Sequence, residues 1–422
     1  MASFAKVPVI DVHSSNIEEL YNSIILAVRS ASFVAIDLEL SGIGDKRRVN
    51  TKDIAERYEA ISEGAKTRSV VSLGISCFCR LPSFSKSEEE SALRFAIQTF
   101  NLFLLCKNNH IIESSSVKFL VQHGFDFNTQ YKYGLLYSPG DDTNEDIETD
   151  QKSFRNILNE ILRCKVPIVF HNALIDIVFL YQSFLCELPK NFSTFIADLD
   201  LAFKGGLYDT KYLAAFIDRM QATYLEYCFR KCQSENVKNC DNLKSHVIPT
   251  FPAYPSSMSS ISFLHCELPR KPVNDTHCVC KRYASFGWCL DAENCKYSHD
   301  IDEILAVDFK FDKVRKRKLQ ENESVDDDRY QPKSTKARSS GHRAGFDSYM
   351  TGFVFGFLLS RHGTSWRENP KSKKVEDMGL LEAKNQIYLV GKDFGLQVKK
   401  SNFAKVSEAC RKKCKRLYGE CE

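Results

Sequence analysis

The sequence lacks the features that direct a chain into or across a membrane. Residues 1–11 do not place a basic segment ahead of an apolar one, as a secretory signal does. The longest strongly apolar run, residues 352–359, is far too short to span a bilayer. No internal repeat marks the chain as a repeat protein. We therefore expect no secretion and no association with a membrane.

A strong net charge is also lacking, since the formal charge of the 422 residues is only +4. The charge is distributed unevenly, however. Residues 141–150 are acidic, whereas residues 313–318 and 399–416 are basic. Local patches decide phosphate binding more than the total charge does, so a nucleic-acid partner is not excluded.

Cysteine, in contrast, is plentiful, with 16 residues in the chain. Because no secretory signal is found, we expect these thiols to be reduced or bound to metal, and not to form a disulfide framework. Apolar residues make up 43% of the sequence, which allows a sizeable core. The length suits one large domain with a small module, or two domains.

Strand-like and helix-like patterns alternate through residues 1–235, which predicts a layered α/β domain. Short apolar runs indicate strands at 32–38, 70–78, 100–105 and 166–170, and amphipathic spacing indicates helices at 88–98, 154–162 and 173–185. The rest of the chain divides into a linker at 236–275, a Cys/His cluster at 276–301, a disordered basic linker at 302–341, resumed apolar periodicity at 342–400 and a basic tail at 401–422.

Two acids follow closely on the apolar run that begins at Phe33. Asp37 and Glu39 are two positions apart, and such residues point to the same face of a strand. Adjacent carboxylates repel unless a cation lies between them, and hard oxygen ligands suit Mg²⁺ or Mn²⁺. Taken alone, the pair is explained better by a strand that ends in solvent with two charged residues.

Two further segments bring acids to the edges of apolar elements. Asp176 follows the strand-like residues 166–170 and a His-Asn turn, where a helix begins. A helix start tolerates an acid because of the helix dipole, so a capping role explains Asp176 as well as metal binding does. His342 lies on a turn ahead of Asp347, and its near-neutral pKa suits a general base. A surface turn with a capping acid is the simpler explanation of that segment by itself.

Together these segments resemble the DEDD exonuclease superfamily, in its His-containing subclass, and most closely the poly(A)-specific ribonuclease and related deadenylases. The matching strings are residues 33–42, 124–128, 171–176, 206–211 and 342–352. The resemblance covers residues 1–230 and 342–400. It implies a ribonuclease H-like α/β fold, with a mixed central sheet flanked by helices.

The resemblance also implies roles for individual residues. Asp37, Glu39, Asp176 and Asp347 would bind two Mg²⁺ ions, with Mn²⁺ as an alternative, and His342 would be the general base. Asp209 is interpreted as a structural acid at a strand end, and as the substitute if Asp176 is not the third ligand. The implied substrate is RNA with an adenosine-rich 3′ tail, shortened from its 3′ end with release of 5′-AMP. Self-association is also implied.

A second metal site is indicated by cysteine spacing. Cys280, Cys289, Cys295 and His299 follow the pattern Cys-x8-Cys-x5-Cys-x3-His, which suits a tetrahedral structural Zn²⁺. So short a segment is not expected to fold without metal. The pattern resembles the CCCH zinc-finger family, whose members commonly bind single-stranded RNA. A purely structural role, or a protein contact, is the alternative.

The basic run at residues 313–318 is interpreted as a nuclear localisation signal that engages import receptors, with a solvated charge run or an RNA clamp as alternatives. A deadenylase with a CCCH finger and such a signal resembles a nuclear, Cajal-body type that trims small nuclear RNA precursors. The competing hypotheses are a cytoplasmic mRNA deadenylase, an inactive RNA-binding adaptor and a DNA exonuclease. Only contacts to the 2′-hydroxyl would separate RNA from DNA.

Overall fold

The computed structural model describes residues 6–83, 91–140, 153–266, 278–291, 294–308 and 343–419. Several sequence features lie outside these described residues. They are the acidic stretch 141–150, the basic run 313–318 and the predicted general base His342. The hypotheses that rest on them remain predictions.

Three long antiparallel strands form the centre of the sheet: β2 (Phe33–Leu40), β3 (Val70–Leu81) and β4 (Ala92–Cys106). Strand β2 pairs with β3, and β3 pairs with β4. Their sequences are rich in β-branched and aromatic residues, which fit a pleated, buried surface. Nearly every residue of β3 and β4 is buried, because helices cover both faces of this part of the sheet.

Beyond β2 the sheet continues with parallel strands. Strand β6 (Ile168–Phe170) pairs with β2, and β7 (Leu207–Asp209) pairs with β6, both in parallel. The short strands β10 (Gln386–Ile387) and β11 (Leu396–Gln397) complete this side. The carboxyl ends of β2, β6 and β7 therefore reach the same edge of the sheet, where Asp37, Glu39 and Asp209 lie.

Three strands pair with β4 on the side away from β3, and a fourth extends the sheet beyond them. Strand β8 (His246–Thr250) pairs with the start of β4, β1 (Lys6–Val12) with its middle, and β5 (Leu135–Tyr137) with its end. Strand β9 (Ile261–His265) then pairs with β1. The linker interpretation of residues 236–275 is thus wrong for β8 and β9, which belong to the central sheet.

Helices pack on both faces of the sheet. In chain order they are α1 (Ile17–Ser30), α2 (Ile54–Thr67), α3 (Ser114–Gln122), α4 (Phe127–Tyr133), α5 (Phe154–Arg163), α6 (Leu174–Leu180), α7 (Phe192–Ala202), α8 (Leu225–Asp241), α9 (Lys281–Phe286), α10 (301–308), α11 (Ala344–His362) and α12 (Glu408–Tyr418). Short helical turns lie at Arg48–Asn50, Tyr181–Leu185, Thr210–Tyr212, Leu213–Ile217, Val375–Met378 and Leu381–Ala383.

The two faces have separate hydrophobic cores. One core joins α1, α2, α5, α6 and α7 to side chains such as Ile36 and Ile75 of the sheet. The other joins α8, α10 and α11 to the opposite side chains, including Phe33, Phe78 and Phe95. Phe33 stacks on Phe78 at 4.8 Å between ring centroids, and Phe355 of α11 meets Phe33 edge-on at 4.8 Å. These contacts place α11 directly against the sheet.

Helix α11 approaches the sheet closely because small residues face it. A Cβ atom on Gly352 would lie 2.1 Å from Phe78 Cε2, and one on Gly345 would lie 2.7 Å from Asn101 Cβ. Both positions therefore require glycine, because any side chain there would clash with the sheet. Every residue of the helix from Ala344 to Ser360 is buried, so α11 is a core helix.

The helix predicted at residues 88–98 is wrong over its described part, because Ala92–Cys106 is a strand. Residues 94–98 pair with β3 on one side, and residues 92–96 pair with β8 on the other. Pairing on both sides overrides the helical preference of the local sequence. The predicted class of a mixed central sheet flanked by helices is confirmed. Within the described ranges, no helix has the length and apolarity needed to cross a bilayer.

Candidate active site

Asp37 and Glu39 lie at the carboxyl end of β2. Strand β2 is paired on both sides at its start, by β6 and β3. Pairing with β6 ends at Ala35, so the following residues are open toward the edge of the sheet where the parallel strands stop. A register shift between Glu39 and Leu40 bends the strand there. Strand periodicity and this open edge place both carboxylates on one face.

Asp347 comes from the first turn of α11, which packs on that same face. The approach depends on Gly74 of β3, the residue paired with Asp37. A Cβ atom on Gly74 would lie only 1.8 Å from the Ala344 carbonyl oxygen. Glycine in the interior of a strand often marks such a close approach of another backbone. The missing side chain of Gly74 therefore lets the start of α11 lie beside Asp37.

Asp37, Glu39 and Asp347 form what we call the carboxylate cluster. One oxygen from each of the three lies within 4.8 Å of the other two. Glu39 and Asp347 are 9% and 5% exposed. Carboxylates held this closely away from bulk water need a counter-charge, and an all-oxygen donor set suits Mg²⁺ or Mn²⁺.

Asp176 lies beside the carboxylate cluster. Its carboxylate is not among those whose oxygens lie within 4.8 Å of one another. It stands in the first turn of α6, as the sequence predicts. Its carboxylate accepts a backbone hydrogen bond at Leu38, between Asp37 and Glu39. Burial raises the pKa of Asp176 to about 7, the nearby Asp209 carboxylate adds to the rise, and the hydrogen bond at Leu38 partly offsets it.

The pKa of Asp37 is raised well above its usual range. Burial is the main cause, followed by the negative charges of Asp347, Asp176 and Glu39. Four acids from three chain segments thus interact at one place. A divalent ion bound among these acids would stabilise the ionised forms of Asp37 and Asp176.

Asp209 has a different environment, although it is also buried. Its carboxylate accepts backbone N–H bonds from Asn172 (2.9 Å), Ala173 (3.1 Å), Lys211 (2.9 Å) and Tyr388 (2.9 Å). It therefore ties together the turn after β6, the turn after β7 and the segment that follows β10. This full set of structural bonds agrees with the interpretation of Asp209 as a structural acid.

The turn after β6 is also fixed by the half-buried side chain of His171. Its Nδ1 lies 2.8 Å from Thr210 Oγ1 and its Nε2 lies 3.0 Å from the Thr223 carbonyl oxygen. Burial lowers the pKa of His171 to about 3, and the Lys211 charge contributes. Asn172 follows with φ of +65°, a left-handed conformation that asparagine tolerates. Together His171 and Asp209 hold the turn that leads to Asp176.

The structure brings three of the predicted acids into one cluster and places the fourth beside it, while His342 lies outside the described residues. Sequence reasoning missed Gly74, and it also missed Asn101 and Asp11, whose side chains hold the start of α11. A glycine inside a strand pattern was the available signal for Gly74. Asn101 and Asp11 carry no local signal, because their partners lie far away in the chain.

A second group of metal-binding side chains lies apart from the carboxylates. Cys280, Cys289, Cys295 and His299 form what we call the Cys3His cluster, in which one ligand atom from each lies within 4.8 Å of the others. Cys280 precedes α9, and its Sγ accepts a hydrogen bond from the Tyr283 N–H at 3.5 Å. The donor set and its closeness fit a tetrahedral Zn²⁺ site.

The segment around the Cys3His cluster packs against the body of the protein. Tyr283 stacks on His299 at 4.4 Å and meets Tyr224 edge-on at 6.1 Å. Gly287, in the left-handed conformation at the end of α9, lies so close to Tyr224 that a Cβ there would be 2.7 Å from its ring. Tyr224 immediately precedes α8. The segment thus docks next to Thr223, the residue that accepts the His171 hydrogen bond.

Helix α10 strengthens this attachment. Asp302 forms an ion pair with Arg230 of α8, in which both carboxylate oxygens of Asp302 accept from Arg230 Nη2, at 2.8 and 2.6 Å. The Tyr227 hydroxyl donates to Asp308 at 2.7 Å. Ile304 and Leu305 are buried in the same core as α11. Helix α10 therefore holds the carboxyl-terminal side of the Cys3His segment against α8.

Comparison with known families places this fold and site in a class of ribonucleases. The model of the CAF1 family ribonucleases matches residues 12–149 and 140–355. The chain therefore belongs to the CAF1 ribonuclease family, within the DEDD superfamily, as the sequence motifs predict at that level.

Individual relatives match over shorter stretches. The poly(A)-specific ribonuclease PARN of Xenopus laevis is 25% identical over 140 residues, covering 30% of this chain and 21% of that protein. The poly(A)-specific ribonuclease PNLDC1 of Mus musculus is 31% identical over 134 residues, covering 30% of this chain and 25% of that protein. The matched segments thus span less than a third of either relative.

Among solved structures, the chain is similar to Schizosaccharomyces pombe Pop2p in its Mg²⁺- and Mn²⁺-bound form. The sequence identity is 18% and the TM-score is 0.41, over 54% of this chain and 82% of that chain.

Proposed function

We propose that the protein is a 3′→5′ exoribonuclease that shortens adenosine-rich RNA tails and releases 5′-AMP. The observation that carries the proposal is the meeting of Asp37, Glu39 and Asp347 within 4.8 Å, with Asp176 beside them. Membership of the CAF1 ribonuclease family makes phosphodiester hydrolysis the reaction that best suits such a cluster.

The carboxylates would hold two Mg²⁺ ions, or Mn²⁺ in their place. Such ions supply charge that stabilises the attacking and leaving oxygens of a phosphodiester. Asp37 is central because its charge interacts with the other three acids, so it is the residue we assign to both ions. Glu39, Asp176 and Asp347 complete the ligand set. We assign His342, five positions before Asp347, as the base that takes the proton from the attacking water.

Adenosine selectivity is proposed from the likeness to relatives named as poly(A)-specific ribonucleases. An aromatic side chain near the site would stack on the terminal base. Three aromatic residues, Phe125, Phe127 and Tyr131, lie close together in the sequence, and Phe125 is buried against Phe103 and Phe127, so it serves packing. Tyr131 is 53% exposed, the most exposed of the three, and is the one we propose to stack on a base.

A structural Zn²⁺ in the Cys3His cluster is part of the proposal. The surface of this segment carries Phe286 and Trp288, and Arg282 lies over the Trp288 ring at 4.0 Å. Exposed aromatic and cationic groups suit contacts with single-stranded RNA. The segment would hold RNA upstream of the tail while the carboxylate cluster acts on its 3′ end.

Nuclear location is proposed from the basic run at residues 313–318, and import receptors are its expected partners. Together with the CCCH pattern, this run supports a nuclear deadenylase of the "target of early growth response" type, which would act on small nuclear RNA precursors in the nucleoplasm and in Cajal bodies. A cytoplasmic mRNA deadenylase remains the competing proposal, and fluorescence of a tagged chain with residues 313–318 intact or neutralised separates the two.

The activity is tested with a 5′-labelled RNA that ends in adenosines, incubated with purified protein and Mg²⁺. We expect a ladder of products shortened from the 3′ end, with AMP as the released nucleotide. A matched RNA ending in uridines tests base preference, and a tail of deoxyadenosines tests the choice of sugar. The double variant Asp37→Ala, Glu39→Ala should be inert. Wild-type protein that is as inert as this variant with both Mg²⁺ and Mn²⁺ would instead favour an RNA-binding adaptor.

A further inference from the structure

Four residues lie in register across four neighbouring strands. Asp37 of β2 pairs with Gly74 of β3, Gly74 pairs with Asn101 of β4, and Asn101 pairs with Asp11 of β1. Paired residues of adjacent strands point to the same face of a sheet. This cross-strand row therefore connects a proposed metal ligand at one end with the half-buried carboxylate of Asp11, three strands away.

The first turn of α11 lies on the cross-strand row. The space over Gly74 is filled by the Ala344 carbonyl, at 1.8 Å from where a Cβ would be. The next residue, Gly345, packs against the Asn101 side chain. Asp347 follows two positions later, in the same turn. Where this turn lies on the row consequently decides where the Asp347 carboxylate lies relative to Asp37.

The amino-terminal end of helix α11 is capped by a residue of strand β4. Its own N-cap residue, Arg343, makes no side-chain capping bond to the helix. The Asn101 Oδ1 accepts a hydrogen bond from the Gly345 N–H at 3.0 Å instead. An amide at the second position of a helix is one of those that a capping side chain normally satisfies. Asn101, at 1% exposure, thus caps the helix from β4.

The amide of Asn101 is oriented by its other neighbours. Its Nδ2 donates to Asp11 Oδ1 at 3.0 Å, and the Ser72 hydroxyl donates to its Oδ1 at 3.2 Å. Asp11 is also paired with the guanidinium of Arg343, the residue just before α11. Because a carboxylate accepts only from the NH₂ end of the amide, Asp11 directs the Asn101 oxygen toward Gly345. The contacts form a closed ring through Arg343, Asp11, Asn101 and Gly345.

We propose that Asn101, oriented by Asp11, is a positioning residue that sets the first turn of α11 and thereby the distance of Asp347 from Asp37. It touches neither substrate nor metal. The inference rests on the proposed function for its kinetic consequence. Its structural content, the capping of α11 from β4, is independent of catalysis and is tested separately.

The first variant is Asn101→Leu, which keeps the approximate shape but removes the acceptor. We expect faster hydrogen exchange of the amides in residues 343–350, by about tenfold, because the Gly345 N–H loses its acceptor. We also expect kcat to fall by about 10- to 100-fold with little change in KM for RNA, and a higher Mg²⁺ concentration at half-maximal activity, since a displaced ligand weakens the site.

A matched control is available in Asn236 of α8. It is also fully buried, and its amide bridges the backbone of Val247 through bonds of 2.9 and 2.7 Å. Asn236→Leu therefore costs comparable buried hydrogen bonds away from the start of α11. It should lower Tm to a similar degree but leave the Mg²⁺ dependence and the exchange of residues 343–350 unchanged.

A charge exchange tests the role of Asp11. Asn101→Asp keeps an acceptor for Gly345 but places two carboxylates about 3 Å apart, where they repel. Adding Asp11→Asn restores one amide and one carboxylate. We expect the single variant to resemble Asn101→Leu and the double variant to recover kcat to within about threefold of wild type, since coupled neighbours are not additive.

The outcomes separate this inference from the proposed function. Faster exchange at 343–350 in Asn101→Leu, absent from Asn236→Leu and reversed by the charge exchange, supports the positioning role even if no RNA is cleaved. Unchanged exchange in Asn101→Leu overturns it, even if the wild-type protein is an active nuclease. A kcat loss equal in Asn101→Leu and Asn236→Leu, with the same Mg²⁺ dependence in both, overturns it as well.

Discussion

The carboxylate cluster and the Cys3His cluster each gather metal-binding side chains within 4.8 Å, but over very different lengths of chain. The Cys3His ligands come from residues 280–299, whereas the carboxylates come from β2 and α11, at residues 37 and 347. The first arrangement is set by local turns, such as that of Cys280 at the start of α9. The second exists only once the central sheet and α11 are packed together.

This difference implies different modes of failure. A local site fails when one of its own ligands is lost, and its neighbours beyond the segment are little affected. A site assembled by the sheet also fails when a residue that binds nothing is changed, provided that the residue sets the packing of α11. The predictions below test that contrast, beginning with the largest effect.

Replacing the ligand Asp347 should have the largest effect on activity. Asp347→Asn keeps the size of the side chain but removes a charge from the carboxylate cluster, so we expect kcat to fall on the order of 10²- to 10³-fold. Zinc content, measured by elemental analysis, should remain that of the wild-type protein. A loss of zinc in this variant would show that the two clusters are not independent.

A glycine that binds nothing should have the next largest effect. Gly74→Ala places a methyl group against the Ala344 carbonyl, so α11 must shift and activity should fall by about 10- to 100-fold. The control is Gly356→Ala in α11, because a Cβ atom there would lie 3.4 Å from Phe95, which is an ordinary contact distance. The kinetic assay with RNA distinguishes the two, and equal activity of both variants would refute the importance of this approach.

The third prediction concerns His171, which lies between the two regions. Its folded-state pKa is lowered to about 3, so the unfolded chain binds this proton more readily below pH 6.5. The contribution of neutral His171 to the free energy of unfolding is therefore fully present above pH 6.5, and it is lost as pH falls toward 3. Between pH 7 and pH 5 the loss attributable to His171 is about 2 kcal/mol. Urea unfolding of His171→Gln should show a decline shallower by that amount, whereas parallel declines would exclude this role.

The smallest effect on catalysis is expected from the Cys3His cluster. Cys295→Ser should abolish zinc binding and make residues 278–299 sensitive to protease, because the segment has too few apolar contacts to fold alone. Cleavage of a short oligoadenylate should change by no more than about twofold, since distant sites are nearly additive. A loss as large as that in Asp347→Asn would show that docking through Tyr224 and Thr223 couples the two regions.

The same contrast explains what the sequence could predict. The grouping of the Cys3His side chains follows from their spacing, and the shared face of Asp37 and Glu39 follows from strand periodicity, whereas the ligand roles of the two acids come from the family resemblance. Residues such as Asn101 look like ordinary polar positions of a strand, because the groups that they bind, Gly345 and Asp11, are remote in the chain. Their role depends on register, which periodicity within one strand does not give.

The wrong expectations have physical causes of the same kind. Prolines favour a linker at residues 236–275, yet Pro249 lies in β8, paired with Phe95 of β4. Proline is tolerated there because β8 lies at an edge, where one side of the strand needs no N–H. The start of β4 has a helical local pattern, and only its pairing with β3 and β8 makes it a strand. His342 and the nuclear signal remain predictions.

The late position of α11 has a consequence for the synthesis of the protein. Until the ribosome has released Ala344–His362, a nascent chain exposes the aromatic face formed by Phe33, Phe78 and Phe95, and its proposed ligand set lacks Asp347. Contacts between such distant segments form slowly, and exposed apolar surface attracts chaperones and promotes aggregation. Packing of α11 therefore covers this aromatic face and completes the carboxylate cluster in one event, so under the proposed function a chain that is still being translated would lack a complete metal-binding set.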